Sequence, residues 1–269
     1  MPLPHHALGP VVRRLRAAGC VFAEEEADLL LAEARTPDGL ESLVSRRVAG
    51  EPLEHLLGWV EFCGLRLLVD PGVFVPRQRT ALLVRQAETE AAAHEHPVVV
   101  DLCCGCGAMA VVLAERLPGV EVHAADLDPV AVANARRNLE HRGGQVHAGD
   151  LYDALPQEIC GRVDVLVVNA PYVPTGAIAM MPPEARDHEP STALDGGADG
   201  LDVHRRVAQG APEWLSRGGM LLVEVSTRQA PVAAELLKGY GLEPRIVRSE
   251  EHHATVVTGR SRRRGPPER

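Results

Sequence analysis

Between Val98 and Val225, apolar runs of strand length alternate with stretches of helical periodicity, and this alternation constrains the fold more than any other feature. Val98–Leu102, Val120–Ala125, Gln145–His147, Val163–Val168 and Gly219–Val225 read as strands. Ala108–Leu117, Pro129–Arg142 and Gly200–Leu215 read as the helices between them. Strands joined through helices pair in parallel, with the crossovers covering both faces of the sheet. Residues 230–238 read as a further helix, and 243–249 with 253–259 as a closing antiparallel pair. The predicted class is α/β, a doubly wound, seven-stranded and mostly parallel sheet.

Upstream the pattern changes. Leu8, Val11, Val12 and Leu15 form one apolar stripe, Ala27, Leu30, Leu31 and Ala34 a second, and Leu40, Leu43, Val44 and Val48 a third. A small helical N-terminal domain is expected over residues 1–58, with a role in substrate recognition or in simple packing. Trp59–Phe62 and Leu65–Val69 read as strands, with Asp70-Pro71-Gly72 turning into a further extended run, Val73–Val75. Residues 59–76 are thus a linking β-hairpin. Pro76–Thr80 opens a helix through Ala93, and 77–260 forms the sheet domain.

Hydrophobic residues make up 45% of the 269 residues, enough for a substantial core, but aromatics only 3%, so aliphatic side chains must build it. Every apolar run is interrupted before it reaches bilayer-spanning length, and the N-terminus lacks the basic-then-apolar order of a signal peptide. A soluble, cytoplasmic protein with no membrane contact is expected. The net charge of −9 speaks against direct binding of nucleic acid as the main activity. The last ten residues carry five arginines and one acid, and 261–269 reads as a basic, disordered tail. Of six cysteines, Cys103, Cys104 and Cys106 share one turn, while Cys20, Cys63 and Cys160 are scattered. Neither separated pairs nor matching histidines accompany them, so no metal site is expected.

Asp101 and Leu102 end the first strand of the sheet, and Cys103-Cys104-Gly105-Cys106-Gly107 turns into the next helix. Glycines there let the backbone turn sharply and approach a ligand without Cβ interference. Asp126 ends the second strand, placed to accept from the two hydroxyls of a ribose. Asp150 follows the third, placed to accept from an adenine amino group. Two cofactors compete. Gly105-x-Gly107-x-x-Ala110 with Asp126 fits a nicotinamide dinucleotide and hence an oxidoreductase. The Asp101, Asp126, Asp150 series fits S-adenosylmethionine, which has no diphosphate to cradle.

Val163–Val168 stops at Asn169, followed by Ala170, Pro171, Tyr172 and Pro174. A polar amide in a proline-stiffened turn at the carboxyl end of a buried strand lies where open α/β sheets bind ligands, although an ordinary strand exit has the same composition. Asn169-Ala-Pro-Tyr172 resembles the Asn-Pro-Pro-Tyr signature of methyltransferases acting on planar or amide nitrogens. Further segments resemble the HemK-like protein-(glutamine-N5) methyltransferases that modify release factors. These are Glu51-Pro-Leu-Glu-His-Leu-Leu-Gly58, Val69-Asp-Pro-Gly-Val-Phe-Val-Pro-Arg77, Glu189-Pro-Ser-Thr-Ala-Leu-Asp-Gly-Gly197 and Gly218-Gly219. The likeness runs from about Glu51 to Gly259.

The resemblance implies a class I methyltransferase fold and transfer of a methyl group from S-adenosylmethionine to a glutamine side-chain amide in a protein, with a release factor as candidate. A nucleic-acid adenine or other amino group is the alternative acceptor. It implies a cofactor site of Asp101, Cys103, Cys104, Gly105, Cys106, Gly107, Asp126, Asp150, Leu151 and Asn169, and an acceptor site of Asn169, Ala170, Pro171 and Tyr172. The Asn169 side-chain oxygen and the Ala170 carbonyl are each expected to accept one amide hydrogen. Tyr172 is expected either to pack on the flat amide or to support the loop. Ala170 stands where the family has proline, and Gln78-Arg79-Thr80-Ala81 where it has Pro-Glu-Thr-Glu, which removes two acids beside the cofactor.

Overall fold

The computed structural model describes residues 8–262. Four helices come first: α1 (Leu8–Ala17), α2 (Ala23–Glu33), α3 (Pro37–Val48) and α4 (Leu53–Leu57). Thr36 caps α3 by accepting from the Gly39 N–H at 3.0 Å, with Pro37 in the first turn. Such a cap is worth about 1 kcal/mol. Leu15, Ala27, Leu30 and Val44 close a small core of their own. Beside it the nearly buried Arg47 bonds Glu26 at 2.6 Å and reaches Glu184 at 3.2 Å.

A hairpin of β1 (Trp59–Phe62) and β2 (Leu65–Leu68) follows, pairing Trp59 with Leu68 and Phe62 with Leu65. The predicted extended run Val73–Val75 pairs with no strand among the described residues. Val73 and Val75 are buried, but the Val75 N–H is given to the Glu189 carboxylate instead of a ladder. A short 3₁₀ turn, Gln78–Thr80, leads into α5 (Ala81–Ala91).

Next come β3 (Val98–Leu102), α6 (Ala108–Arg116), β4 (Glu121–Asp126), α7 (Pro129–Leu139), β5 (Gln145–Ala148) and β6 (Val163–Val168). After the short helices α8 (Pro183–His188) and α9 (Ser191–Leu194) the chain continues through α10 (Asp202–Trp214) and β7 (Leu215–Glu224). It closes with α11 (Ala230–Gly239), β8 (Leu242–Ser249) and β9 (Ala254–Ser261). The sheet order is β5-β4-β3-β6-β7-β9-β8; the first five strands are parallel, and β9 runs antiparallel to β7 and β8. The seven-stranded, mostly parallel sheet expected from the alternation is what forms.

Alternate strand residues point to opposite faces, and each face has its own core. Val99, Val165, Val167 and Leu222 pack with α5, α6 and α7. Val100, Leu102, Leu166 and Val168 pack with α10 and α11. The hairpin is tied to the first of these layers by two buried asparagines one turn apart on α7. Asn134 accepts from the Asp70 N–H and donates to the Leu68 carbonyl; Asn138 accepts from the Leu68 N–H and donates to the carbonyls of Leu68 and Cys106. Both amides are thereby satisfied inside the protein, as burial requires.

The alternation misplaced some details. The segments Leu151–Ala154, Gln157–Ile159, Thr175–Met180, α8 and α9 are no more than two turns long, too short to leave a periodic signal. β7 begins at Leu215, four residues before the apolar run, because Leu215 pairs with Val163 ahead of a register shift. Among the described residues no helix is long and apolar enough to cross a membrane. Residues 263–269, most of the basic tail, lie outside the described residues.

Candidate active site

The chain leaves β3 to one side of the sheet, for β4 and β5, and later returns to β6 on the other. β3 and β6 are therefore the neighbours between which strand order reverses, and ligands bind beyond the carboxyl ends of such strands. Register places the parts. Leu102 is opposite both Ala125 and Val168, and Asp126 is opposite Ala148. The next residues along each strand, Cys103, Asp126, Gly149–Asp150 and Asn169, consequently emerge at one edge. A cavity of about 390 Å³ opens there.

Cys103, Cys104, Gly105, Cys106, Asp126, Asp150, Leu151, Asn169, Ala170, Pro171 and Tyr172 all line this cavity. Two of the expected cofactor residues do not. Gly107 (φ +78°) faces away; a Cβ there would stand 3.1 Å from the Ala135 Cβ, so its hydrogen lets α6 start against α7. Asp101 is fully buried beneath the turn. One carboxylate oxygen accepts from the Ala110 N–H at 3.0 Å, and the other has no hydrogen-bond partner among the described residues. Burial pushes its pKa up to about 8. Position beside the glycine turn did not reveal which way these residues face.

At the β4 end, Asp126 accepts from the Gly105 N–H at 2.8 Å and from the Asp128 N–H at 2.9 Å. It joins the turn to the strand end, and burial raises its pKa. A Cβ on Gly105 (φ +56°) would meet nothing within 4 Å, so the backbone there borders open space. Leu127 lines the cavity although 64% exposed, and Leu151 lines it too. Asp150 bonds Arg206 at 2.8 Å, an ion pair that the spacing of the aspartates did not suggest. Two acids at the rim, open glycine backbone and apolar side chains suit a nucleoside: hydroxyls on Asp126, a flat base against Leu127 and Leu151. The residues present fit S-adenosylmethionine. Among the described residues no metal-binding cluster occurs.

At the β6 end, the Asn169 amide nitrogen donates to the Thr80 hydroxyl at 3.4 Å. Neither the Asn169 side-chain oxygen nor the Ala170 carbonyl accepts a hydrogen bond among the described residues. The loop behind them is firmly held. Gln229 donates to the Tyr172 carbonyl at 2.8 Å, Val173 exchanges backbone bonds with Leu194 and Gly196, and Gly200 packs against Tyr172. The Tyr172 hydroxyl accepts from Arg79 at 2.7 Å and donates to Glu224 at 3.2 Å, and Arg79 also reaches Glu224 at 3.2 Å. Burial pushes the Tyr172 hydroxyl up to about 12, so it stays protonated. Arg77 and Arg79 both line the cavity, each backed by a buried carboxylate, Glu189 and Glu224. Thr80, Arg77 and Arg79 were missing from the expected site residues. Their signal was the extended, proline-bearing entry to α5, which places no residue near Asn169 until the chain is folded.

Residues 64–181 match the family model described as the methyltransferase small domain. A protein of Geobacter sulfurreducens named release factor glutamine methyltransferase is 43% identical over 190 residues, 70% of this chain and 65% of its own length, just under two thirds. One of the same name from Moorella thermoacetica is 35% identical over 254 residues, 87% of this chain and 89% of its own. A Streptomyces pristinaespiralis protein named 4-amino-L-phenylalanine/4-methylamino-L-phenylalanine methyltransferase is 37% identical over 234 residues, 85% of this chain and 79% of its own. The crystal structure of a methyltransferase from Pyrococcus furiosus shares the fold, with a TM-score of 0.53 at 16% identity over 74% of this chain and 89% of that one.

Proposed function

The chain belongs to the family of release factor glutamine methyltransferases, and from that premise we propose that it moves a methyl group from S-adenosylmethionine to the side-chain amide nitrogen of a glutamine in a protein, with a release factor as first candidate. The observation that carries the acceptor chemistry is the pair of unengaged oxygens, Asn169 Oδ1 and the Ala170 carbonyl, in a turn beside a nucleoside-shaped cavity. The nicotinamide reading loses its support, because the matching relatives are named as methyltransferases.

Gly105, Asp126, Leu127 and Leu151 would hold the adenosine part of the cofactor, with Cys103, Cys104 and Cys106 forming the cavity wall beside it. When bound, the cofactor supplies an electrophilic methyl group on a sulfonium. An amide nitrogen is a weak nucleophile because its lone pair is conjugated with the carbonyl. Asn169 and Ala170 act by accepting one N–H each, which turns the lone pair toward the methyl and stabilises positive charge gathering on nitrogen. The Asn169 and Ala170 oxygens would hold this nitrogen as it takes the methyl from sulfur and loses one proton to solvent in exchange for the new N–C bond. Alanine at 170 keeps the carbonyl that this chemistry uses. Tyr172 serves as the loop's anchor through Arg79 and Glu224, and the N-terminal helices α1 to α4 serve to recognise the protein substrate.

Incubation with methyl-labelled cofactor and purified release factors, followed by mass spectrometry, tests the proposal: label on a glutamine amide is expected. Free amino acids form a second arm, since one relative is named for such a substrate. Label appearing in nucleic acid instead, or full activity in Asn169→Ala, overturns it.

A further inference from the structure

The acceptor end of the cavity differs in charge from the cofactor end. At the cofactor end the charged lining residues are Asp126, Asp128 and Asp150, the last paired with Arg206, whereas at the Asn169 end they are Arg77 and Arg79, with no acid among the lining residues there. The chain as a whole carries a net charge of −9, so a cationic wall there is a local arrangement and not a reflection of composition.

Arg79 is the more telling of the two. Its Nε and one terminal nitrogen, Nη2, are spent on Glu224 and on the Tyr172 hydroxyl, while Nη1 has no hydrogen-bond partner among the described residues. The side chain is 43% exposed, but that of its partner Glu224 is 2% exposed. The counter-charge therefore sits behind the guanidinium, and the cation is presented on the cavity side. Arg77 repeats the arrangement: 30% exposed, it is held from behind at 2.5 Å by Glu189, itself 1% exposed. A guanidinium fixed by a buried carboxylate loses little side-chain freedom on meeting a second anion, and its planar fork suits an oxyanion. Through Tyr172, Arg79 is tied to the loop that carries the acceptor groups, three residues beyond Asn169.

We propose that Arg79 is a specificity-determining residue that holds a carboxylate of the substrate within one side chain's reach of the methylated nitrogen. This rests on the amide-methylation reading above and narrows it. The carboxylate has two possible sources: an acidic residue flanking the target glutamine in a polypeptide, or the α-carboxylate of a free amino acid. A neutral or basic flanking sequence leaves the Arg79 Nη1 without a partner and binds less well.

The test compares glutamine-centred peptides flanked by glutamate, glutamine or lysine, together with free glutamine, as acceptors for the full chain. The wild type is expected to show a KM at least about tenfold lower for the glutamate-flanked peptide than for the neutral one, the size of one charge-assisted contact. If free glutamine is the better acceptor, the α-carboxylate is the source. Arg79→Gln is expected to abolish the preference and Arg79→Glu to turn it toward lysine, with the KM for S-adenosylmethionine unchanged. The wild-type comparison needs no variant and stands even if removing the partner of Glu224 impairs folding. Equal KM values across the peptides and free glutamine, or an Arg79→Gln defect confined to the KM of S-adenosylmethionine, overturn the role of Arg79 and leave amide methylation standing. Failure of the wild type to methylate any glutamine overturns both.

Discussion

The Thr80 hydroxyl accepts from the amide nitrogen of Asn169 across 3.4 Å, joining residues 89 positions apart in the chain. With its nitrogen so occupied, the Asn169 side chain has its oxygen left for another donor. Thr80→Val removes that fixing bond at nearly constant volume. A neutral hydrogen bond contributes about 1 kcal/mol, so kcat is expected to fall about fivefold while the KM for S-adenosylmethionine holds. Asn169→Ala removes the acceptor itself, with an expected loss of about a hundredfold or more in kcat. Steady-state rates with an unmethylated, glutamine-bearing acceptor peptide check both.

Gly200 has φ +79°, and a Cβ on it would lie 2.3 Å from the Tyr172 carbonyl. Gly200→Ala must therefore push the acceptor loop off its anchor as well as strain the backbone. A cost of about 1–3 kcal/mol is expected in urea unfolding. Activity is expected to drop more than that of a control such as Gly239→Ala, where a Cβ meets nothing within 4 Å.

Asp101 makes stability depend on pH. Its carboxyl titrates near 8 in the folded chain, against 3.8 as the ordinary value, because burial disfavours the charged form. A raised acid contributes stability that is present in full below the unfolded value. That contribution is lost as pH rises toward 8, by at most about 1.4 kcal/mol per unit. Asp101→Asn cannot ionise. Between pH 5 and pH 8 the variant is expected to gain on the wild type by on the order of 3 kcal/mol. Unfolding curves at several pH values give this difference directly; a constant gap would contradict it.

The cysteine turn is expected to be chemically quiet. Burial pushes the Cys106 thiol up to about 12 and those of Cys103 and Cys104 well above their ordinary value. Three units mean roughly a thousandfold less thiolate than an unperturbed cysteine holds at the same pH. Mass-mapped alkylation at pH 8 is expected to leave Cys103, Cys104 and Cys106 unmodified until denaturant is added.

The strand ends were legible in the sequence because a strand buried on both faces is a continuous apolar run whose stop is sharp. Leu102 and Val168 ended their strands where expected, β4 ran one residue further than expected, to Asp126, and the sheet aligned all three ends. Facing was not legible. Asp101 and Gly107 border the glycine turn in sequence, yet one turns under α6 and the other against α7, since the direction of a residue in a tight turn depends on packing. Thr80 and Arg79 escaped for a different reason. They sit in a single 3₁₀ turn without periodicity, and only the layering of α5 against β6 brings them to Asn169. The family resemblance singled out Arg79 as a departure, but not its bond to Tyr172.

Asn138 donates to Leu68 on the hairpin and to Cys106 in the turn above β3, two stations 38 residues apart on the chain. A nascent chain that has emerged only as far as Gly107 has both carbonyls but not the amide that staples them. One stopped before Asn169 has the nucleoside shelf but no hook for the acceptor nitrogen. The parts arrive in the order hairpin, staple, shelf (complete only with Leu151), hook and lastly the Gln229 brace, so an incomplete chain has no finished place to bring donor and acceptor together.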